Sequence, residues 1–128
     1  MEDKIKAVQL FHTAYKLGYQ NKPTANIGTD KAKLRYELMA EENKEYLEAA
    51  QNGDLVEIAD ALGDMLYILC GTIIEHGIQD KIDAVFEEIQ KSNMSKLGED
   101  GEPIYREDGK VLKGPHYFKP DIKKVLDS

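Results

Sequence analysis

Tryptophan is absent from this chain of 128 residues, and cysteine occurs once, at Cys70. One cysteine forms no intrachain disulfide, which is typical of proteins in a reducing compartment, so we expect the cytoplasm. The longest apolar run, residues 65–74, would span about half of a bilayer. Residues 1–6 also lack the apolar stretch of a secretory signal. We therefore expect neither a targeting segment nor a membrane partner.

Basic residues are scarce as well, because 17 Lys and Arg stand against 24 Asp and Glu, a formal net charge of −7. A nucleic-acid polymer requires a basic footprint, so we expect none as a partner. The charge is unevenly distributed: residues 1–90 hold nine basic and seventeen acidic side chains, and residues 91–128 hold eight and seven. The sequence therefore predicts an acidic body followed by a mildly basic tail.

Apolar residues recur at three- and four-residue spacings through the first three-quarters of the chain, which predicts four helices. Their expected bounds are residues 3–17, Thr29 or Asp30 to Gln51, an Asp54 cap to about Glu75, and an Asp80 cap to between Lys91 and Leu97. The expected core stripe of the third helix consists of Leu55, Ile58, Leu62, Leu66, Leu69 and Ile73. The fold class is therefore all-α, with a protomer of the four-helix-bundle type.

Residues 98–128 differ, because four glycines and three prolines interrupt any helical period there. Within them, alternating residues on both sides of Glu-Asp-Gly predict a short β-hairpin at Ile104–Leu112. We expect one helical domain over residues 1–97, with residues 98–128 forming an irregular arm of the same domain.

Two acidic pairs stand out on the second and third helices. Glu42 and Glu45 form an E-x-x-E pair, Glu57 and Asp60 form an E-x-x-D pair, and Asp64 follows one turn later. Helical residues three apart share one face, so each pair presents two carboxylates side by side. A tight turn joins the two helices, which makes them antiparallel neighbours. The four acids of the two pairs can therefore converge.

No Lys or Arg occurs from Glu45 to Asp80, where eight carboxylates do. Crowded, unpaired carboxylates repel one another, and a divalent cation relieves that repulsion. Oxygen ligands without Cys or a His pair select Mg²⁺, with Mn²⁺ as a possible substitute. Two other interpretations remain open: Asp54-x-x-Glu57 fits a helix-capping box, and Glu42 and Glu45 fit the solvated surface of an acidic protein.

The segments 35–45 and 57–67, with their E-x-x-E and E-x-x-D pairs, resemble the MazG-like all-α nucleoside triphosphate pyrophosphohydrolases. That superfamily includes phosphoribosyl-ATP pyrophosphohydrolases and the dimeric dUTPases, and segments 91–96 and 108–115 resemble the phosphoribosyl-ATP-pyrophosphohydrolase-like subgroup. The resemblance implies Mg²⁺ ligands at Glu42, Glu45, Glu57 and Asp60. It leaves Asp64 as an additional ligand or as an acid that orients water or a lysine.

The resemblance also implies a homodimer or homotetramer whose active sites draw on more than one chain. The implied reaction is hydrolysis of a (deoxy)nucleoside triphosphate between the α and β phosphates, in a house-cleaning role. Glu45, beside Glu42, is the expected catalytic base that takes a proton from water.

Residues expected to bind the substrate phosphates are Asn93, Lys96, Lys110 and Lys113 in the tail, with Arg35 on the second helix. The alternative for the tail is a solvated, lysine-rich terminus, and Arg35 can equally pair with an acid. Two alternatives for the whole protein are hydrolysis of phosphoribosyl-ATP in histidine biosynthesis and a helical metal-binding or oligomerisation module without turnover.

Overall fold

A computed structural model describes residues 1–128 and contains five α-helices and no β-sheet. The helices are α1 (Glu2–Ala14), α2 (Thr29–Gln51), α3 (Leu55–Glu75), α4 (Ile82–Met94) and α5 (Ile122–Asp127). The chain forms two compact units, Met1–Asp80 with α1 to α3 and Lys81–Ser128 with α4 and α5. The all-α prediction is confirmed, and none of the helices has the length and hydropathy to cross a membrane.

The first unit is built on the hairpin of α2 and α3, which three residues connect, and α1 also packs on α3. Gly53 occupies the left-handed region in this connection, with φ of 63°, which glycine adopts without strain. Asp54 then caps α3, because its side chain accepts a hydrogen bond of 3.1 Å from the Glu57 backbone N–H. The predicted bounds of these two helices are confirmed.

The buried apolar residues of this unit come from all three helices: Ile5, Val8, Ala49, Ala61, Cys70, Ile73 and Ile74. The predicted core stripe of α3 is confirmed only in part, because Ile73 is buried whereas Leu55 is 76% exposed, Leu62 48% and Leu69 44%. The buried residues of α3 are Ala61, Cys70, Gly71, Ile73, Ile74 and Glu75. The side of α3 that meets α2 also carries acids, because Glu57 and Asp60 share a cavity with Glu45 of α2.

The second unit corrects two predictions. The hairpin predicted at Ile104–Leu112 is no sheet: Tyr105 and Val111 form one isolated antiparallel bridge around a turn. Pro103 lacks an N–H, and Gly114-Pro115 follows closely, so pairing cannot extend at either end. The fourth helix has Lys81 rather than Asp80 as its N-cap.

Helix α5 was not predicted, because six residues give too few turns for a periodic pattern. Its one local signal is Asp121, whose side chain accepts a hydrogen bond of 3.1 Å from the Lys124 N–H. One helical domain over residues 1–97, with residues 98–128 as its arm, stays a prediction, and the two compact units divide the sequence between Asp80 and Lys81.

The Asp54 cap gives a testable prediction. Replacement of Asp54 by Ala should lower the free energy of unfolding by about 1 kcal/mol, because an N–H at the start of α3 loses its acceptor. Asp54→Asn is the matched control, since it removes the charge and keeps the acceptor. Urea titrations followed by circular dichroism should show loss in Asp54→Ala alone, and equal losses would contradict the capping role.

Candidate active site

Acidic side chains from α2 and α3 surround a cavity of about 200 Å³ beside the hairpin connection. Its lining comprises Glu45, Glu48, Ala49, Asn52, Asp54, Glu57 and Asp60. Three of the predicted metal ligands, Glu45, Glu57 and Asp60, therefore lie around one space. No Lys or Arg lines this cavity, so its five carboxylates have no cationic partner within it.

Glu42, the fourth predicted ligand, lies one turn before Glu45 and is half-buried. Its Oε2 atom is buried without a hydrogen-bond partner. Burial, hydrogen bonding to Glu45 and the negative charges of Glu45 and Asp64 together raise the pKa of Glu42 to about 7. Glu42 thus faces Glu45 along α2 and Asp64 across the hairpin, and Glu45 connects it to the acidic cavity.

These residues fit a hard divalent cation by the chemistry of their donors. A buried carboxylate oxygen without a partner is unfavourable, and a cation supplies what the oxygen lacks. All the donors are carboxylate oxygens, which suit Mg²⁺ or Mn²⁺. Their side chains do not form a ready-made metal site, since no three His, Cys, Asp or Glu residues are grouped closely enough to hold an ion.

The capping-box interpretation of Glu57 is only half realised. Asp54 accepts a hydrogen bond from the Glu57 N–H, but its own N–H donates to the Ala49 carbonyl at 3.0 Å. In a complete capping box, the Asp54 N–H would instead donate to the Glu57 carboxylate. The exposed Glu57 carboxylate is therefore not engaged by the cap and lines the cavity.

Glu48 and Asn52 are cavity residues that the sequence pattern did not indicate. The helical period places Glu48 with Glu37, Glu41 and Lys44 on a solvated face, and Glu48 is indeed exposed. Because α2 ends at Gln51, its last turn borders the connection to α3 on several sides. The spacing Glu45-x-x-Glu48 was the one available signal.

Arg35 interacts with α3 rather than with an acidic side chain. Its Nε donates to Thr72 Oγ1 at 3.1 Å, and its Nη2 donates to the Ile68 carbonyl at 2.9 Å. Burial lowers the pKa of Arg35, and the Glu75 carboxylate opposes that shift. The guanidinium nevertheless remains charged, because arginine does not deprotonate in proteins.

The other predicted phosphate-binding residues belong to the second unit. Asn93 lies exposed on α4, Lys96 is half-buried just after it, and Lys110 and Lys113 are exposed. A side chain at Gly114 would collide with the carbonyls of Lys96 and Leu97, so the segment after Lys113 packs directly on that backbone. The ammonium of Lys113 lies 4.8 Å from the centroid of the Tyr117 ring.

A second cavity of about 330 Å³ lies between α1, α2 and α3. Its walls are mainly apolar and aromatic, and they include Phe11, Leu34, Leu38, Tyr67 and Ile68 beside His12, Arg35 and Glu75. Leu38 is one turn from Glu42, and Tyr67 is about one turn from Asp64. The apolar cavity therefore adjoins the acids along the same pair of helices.

The model of the phosphoribosyl-ATP pyrophosphohydrolase family matches residues 8–93 of this sequence. The matched region contains all the acids described above and most of the helical part of the chain. The chain belongs to this family. Among proteins with curated functions, none matches the sequence of this family member.

Solved structures resemble this phosphoribosyl-ATP pyrophosphohydrolase family member over almost its whole length. One is the crystal structure of a candidate NTP pyrophosphohydrolase from Exiguobacterium sp. 255-15, with 27% sequence identity and a TM-score of 0.54. The alignment covers 97% of this chain and 94% of the other. Family and fold together identify a nucleotide-pyrophosphohydrolase-like protein.

A covalent nucleophile is disfavoured in this family member. Cys70 is buried, and burial raises the pKa of its thiol, so little thiolate forms. His12 Nδ1 lies 3.0 Å from the Gly18 carbonyl, and His76 Nδ1 lies 2.9 Å from the Thr24 carbonyl. Both rings thus contact backbone carbonyls, as packing histidines do. Neither is placed to act as the base that activates a nucleophilic side chain.

The raised pKa of Glu42 predicts how stability depends on pH. A raised pKa means that the folded protein binds this proton more tightly than the unfolded chain does, which stabilises the fold at low pH. That stabilisation is complete below about pH 4.5 and is lost as the pH rises through about 7. In EDTA, the melting temperature of the wild type should fall as the pH rises from 5 to 8. The melting temperature of the Glu42→Gln variant should not show this fall, because the variant has no proton to lose at that position.

Glu37→Gln is the matched control, because Glu37 lies on the same helix and pairs with Lys33 at 3.7 Å on the surface. It should keep the decline of the wild type. An unchanged decline in Glu42→Gln would show that Glu42 is not the group responsible.

Proposed function

We propose that this protein is a Mg²⁺-dependent nucleotide pyrophosphohydrolase that cleaves a (deoxy)nucleoside triphosphate between its α and β phosphates. The products are a nucleoside monophosphate and pyrophosphate. The observation that carries the proposal is the cavity shared by Glu45, Glu57 and Asp60, with the unpartnered oxygen of Glu42 beside it. Membership of the pyrophosphohydrolase family supports it, as does the similarity to a candidate NTP pyrophosphohydrolase.

Glu42, Glu45, Glu57 and Asp60 would hold Mg²⁺, or Mn²⁺ in its place, with Asp64 as a fifth acid next to Glu42. When bound, the ion supplies positive charge for phosphate oxygens and acidifies water. The backbones of α2 and α3 already bring Glu45, Glu57 and Asp60 around one cavity. Rotation of side chains, rather than movement of helices, would then complete the site.

Glu45 is the proposed catalytic base, because its exposed carboxylate lines the cavity and lies beside Glu42. It would take a proton from the water that attacks phosphorus. Glu42 has a pKa of about 7, so about half of the molecules carry a proton on this carboxylate at neutral pH. Loss of that proton would accompany binding of a cation.

The remaining parts of a nucleotide need different surroundings. Asn93, Lys96, Lys110 and Lys113 would bind the outer phosphates, which the carboxylates alone would repel. The base would enter the apolar cavity, whose volume of about 330 Å³ is of the order of a small-ligand pocket and whose wall includes Phe11 and Tyr67.

Self-association is part of the proposal, as a homodimer or homotetramer. Leu55, Leu62 and Leu69 of α3 are exposed in a single chain. Isolated exposed leucines are normal, but leucines that recur along one face of a helix form an apolar surface that a partner can cover. A groove of about 660 Å³ beside it includes Tyr36, Met39, Met65 and Leu69. A second copy would cover both.

The reaction can be tested directly. With Mg²⁺ present, the protein should release pyrophosphate from at least one nucleotide in a panel of canonical, deoxy- and modified triphosphates. Glu45→Gln and Asp60→Asn should each reduce the rate by at least ~100-fold, since each removes a charge on which ion binding depends. Glu37→Gln, on the solvated face of α2, is the matched control and should keep full activity.

The same panel separates the alternatives when phosphoribosyl-ATP is included. Hydrolysis of phosphoribosyl-ATP alone would favour the role in histidine biosynthesis, in agreement with the description of the family model. Stabilisation by Mg²⁺ without release of pyrophosphate from any compound would favour a metal-binding module and contradict the enzymatic proposal.

The proposed self-association makes a separate prediction. Light scattering should give a mass of two or four chains for the wild type. Leu69→Glu should shift it towards one chain, because it places a charge in the apolar groove. Leu10→Glu on α1 is the control, as Leu10 is 72% exposed and lies outside that groove. A monomeric wild type would contradict self-association.

A further inference from the structure

We infer that Arg35 is a positioning residue, which fixes α2 along α3 and so sets the spacing between the acids of the two helices. This inference rests on the proposed metal-dependent function and assigns Arg35 a role other than contact with phosphate. Arg35 lies two turns before Glu42 on α2, at roughly 10 Å along the helix axis.

The contacts of Arg35 are made with the backbone and one side chain of α3. Its Nη2 donates to the Ile68 carbonyl at 2.9 Å, and its Nε donates to Thr72 Oγ1 at 3.1 Å. Thr72 Oγ1 in turn donates to the same Ile68 carbonyl at 2.9 Å. Hydrogen bonds from a charged donor are stronger than neutral ones, and these are partly buried from water.

Gly71 provides the space that this arrangement requires. A Cβ atom added at Gly71 would lie 2.5 Å from Arg35 Nη2 and 3.3 Å from Arg35 Cζ. A side chain at this position would therefore displace the guanidinium, and its Cβ would also lie 3.1 Å from His12 Nε2. A buried glycine within a helix is otherwise unfavourable, and here the close approach of Arg35 and His12 accounts for it.

The position of this contact relative to the acids connects it with metal binding. The residues Asn52–Asp54 connect the two helices at one end of the hairpin, and the Arg35 contact joins them towards the other. Glu42, Glu45, Asp60 and Asp64 all lie between these two points. Ile68 is one turn from Asp64, so a shift of α2 at Arg35 would change the distance between Glu42 and Asp64.

The test is the affinity for Mn²⁺ alone, measured by electron paramagnetic resonance without nucleotide. Arg35→Met should weaken Mn²⁺ binding about tenfold, as loss of residues that orient ligands does. Arg35→Lys should bind more tightly than Arg35→Met, since it keeps one donor. Gly71→Ala should also weaken Mn²⁺ binding, because its methyl group would displace the Arg35 guanidinium. The double variant should lose less affinity than the sum of the two single losses, since both changes act on the Arg35 contact.

Arg106→Met is the matched control, because Arg106 is the other arginine and pairs with Asp108 on an exposed turn. It should leave Mn²⁺ affinity unchanged. Each variant is assayed well below its unfolding temperature, so that loss of stability does not affect the result. If Arg35→Met fails to fold, Thr72→Val and Gly71→Ala decide the question, since both keep the arginine.

Unchanged Mn²⁺ affinity in folded Arg35→Met or Gly71→Ala would overturn the inference while leaving the proposed function intact. A rise in KM with unchanged kcat and Mn²⁺ affinity would do the same and would identify Arg35 as a phosphate contact. A fall in kcat with little change in KM supports positioning. Absence of Mn²⁺ binding in the wild type would overturn the proposed function, and this inference with it.

Discussion

Repulsion between carboxylates on the facing sides of α2 and α3 is the constraint on which the rest of this molecule depends. Five acids line one cavity without a basic partner, and a sixth, Glu42, has a buried oxygen with none. Two like charges 4 Å apart repel by about 1 kcal/mol in water and by more where water is excluded. The raised pKa of Glu42 is the local response, because a bound proton removes one of these charges. Such an arrangement of carboxylates lowers the stability of the fold, and it is suited to binding a cation.

A hairpin that carries mutual repulsion must be held together elsewhere. The α1 side provides this through a network of buried polar groups: Glu75 is 4% exposed, and it lies 3.1 Å from the Lys31 ammonium and 3.4 Å from His12 Nδ1. Buried charges of this kind are retained when each has partners. Lys31 and Arg35 both lie in the first two turns of α2, far along the helix from the acidic cavity. Cationic groups therefore join the helices at one end, and the acids remain unpaired at the other.

The sequence predicts those features of the fold that local chemistry determines. The start of α3 follows from the Asp54 side chain, and the spacing of Glu42, Glu45, Glu57 and Asp60 follows from the helical period. Which side of α3 is buried does not follow, because the helix has an apolar leucine side and a side with acids, Ala61 and Gly71. Hydrophobicity alone favours the leucine side, yet Leu62 and Leu69 are exposed and Arg35 of α2 packs against Gly71 on the other side. That outcome depends on contacts between residues 36 positions apart, which no local pattern contains.

The nucleotide substrate proposed for this protein makes opposite demands on the charges of the chain. Phosphate groups need cations, yet the ligands that hold a divalent cation must themselves be anionic. A site with lysines among its carboxylates would satisfy both with internal ion pairs and would have little affinity left for either a metal ion or a phosphate. Here Glu45, Glu57, Asp60 and Asp64 belong to the stretch from Glu45 to Asp80, which contains no Lys or Arg, and Lys96, Lys110 and Lys113 follow in the second unit. In the proposed enzyme, this separation along the sequence would leave the acids free to bind a cation and the lysines free to bind phosphate.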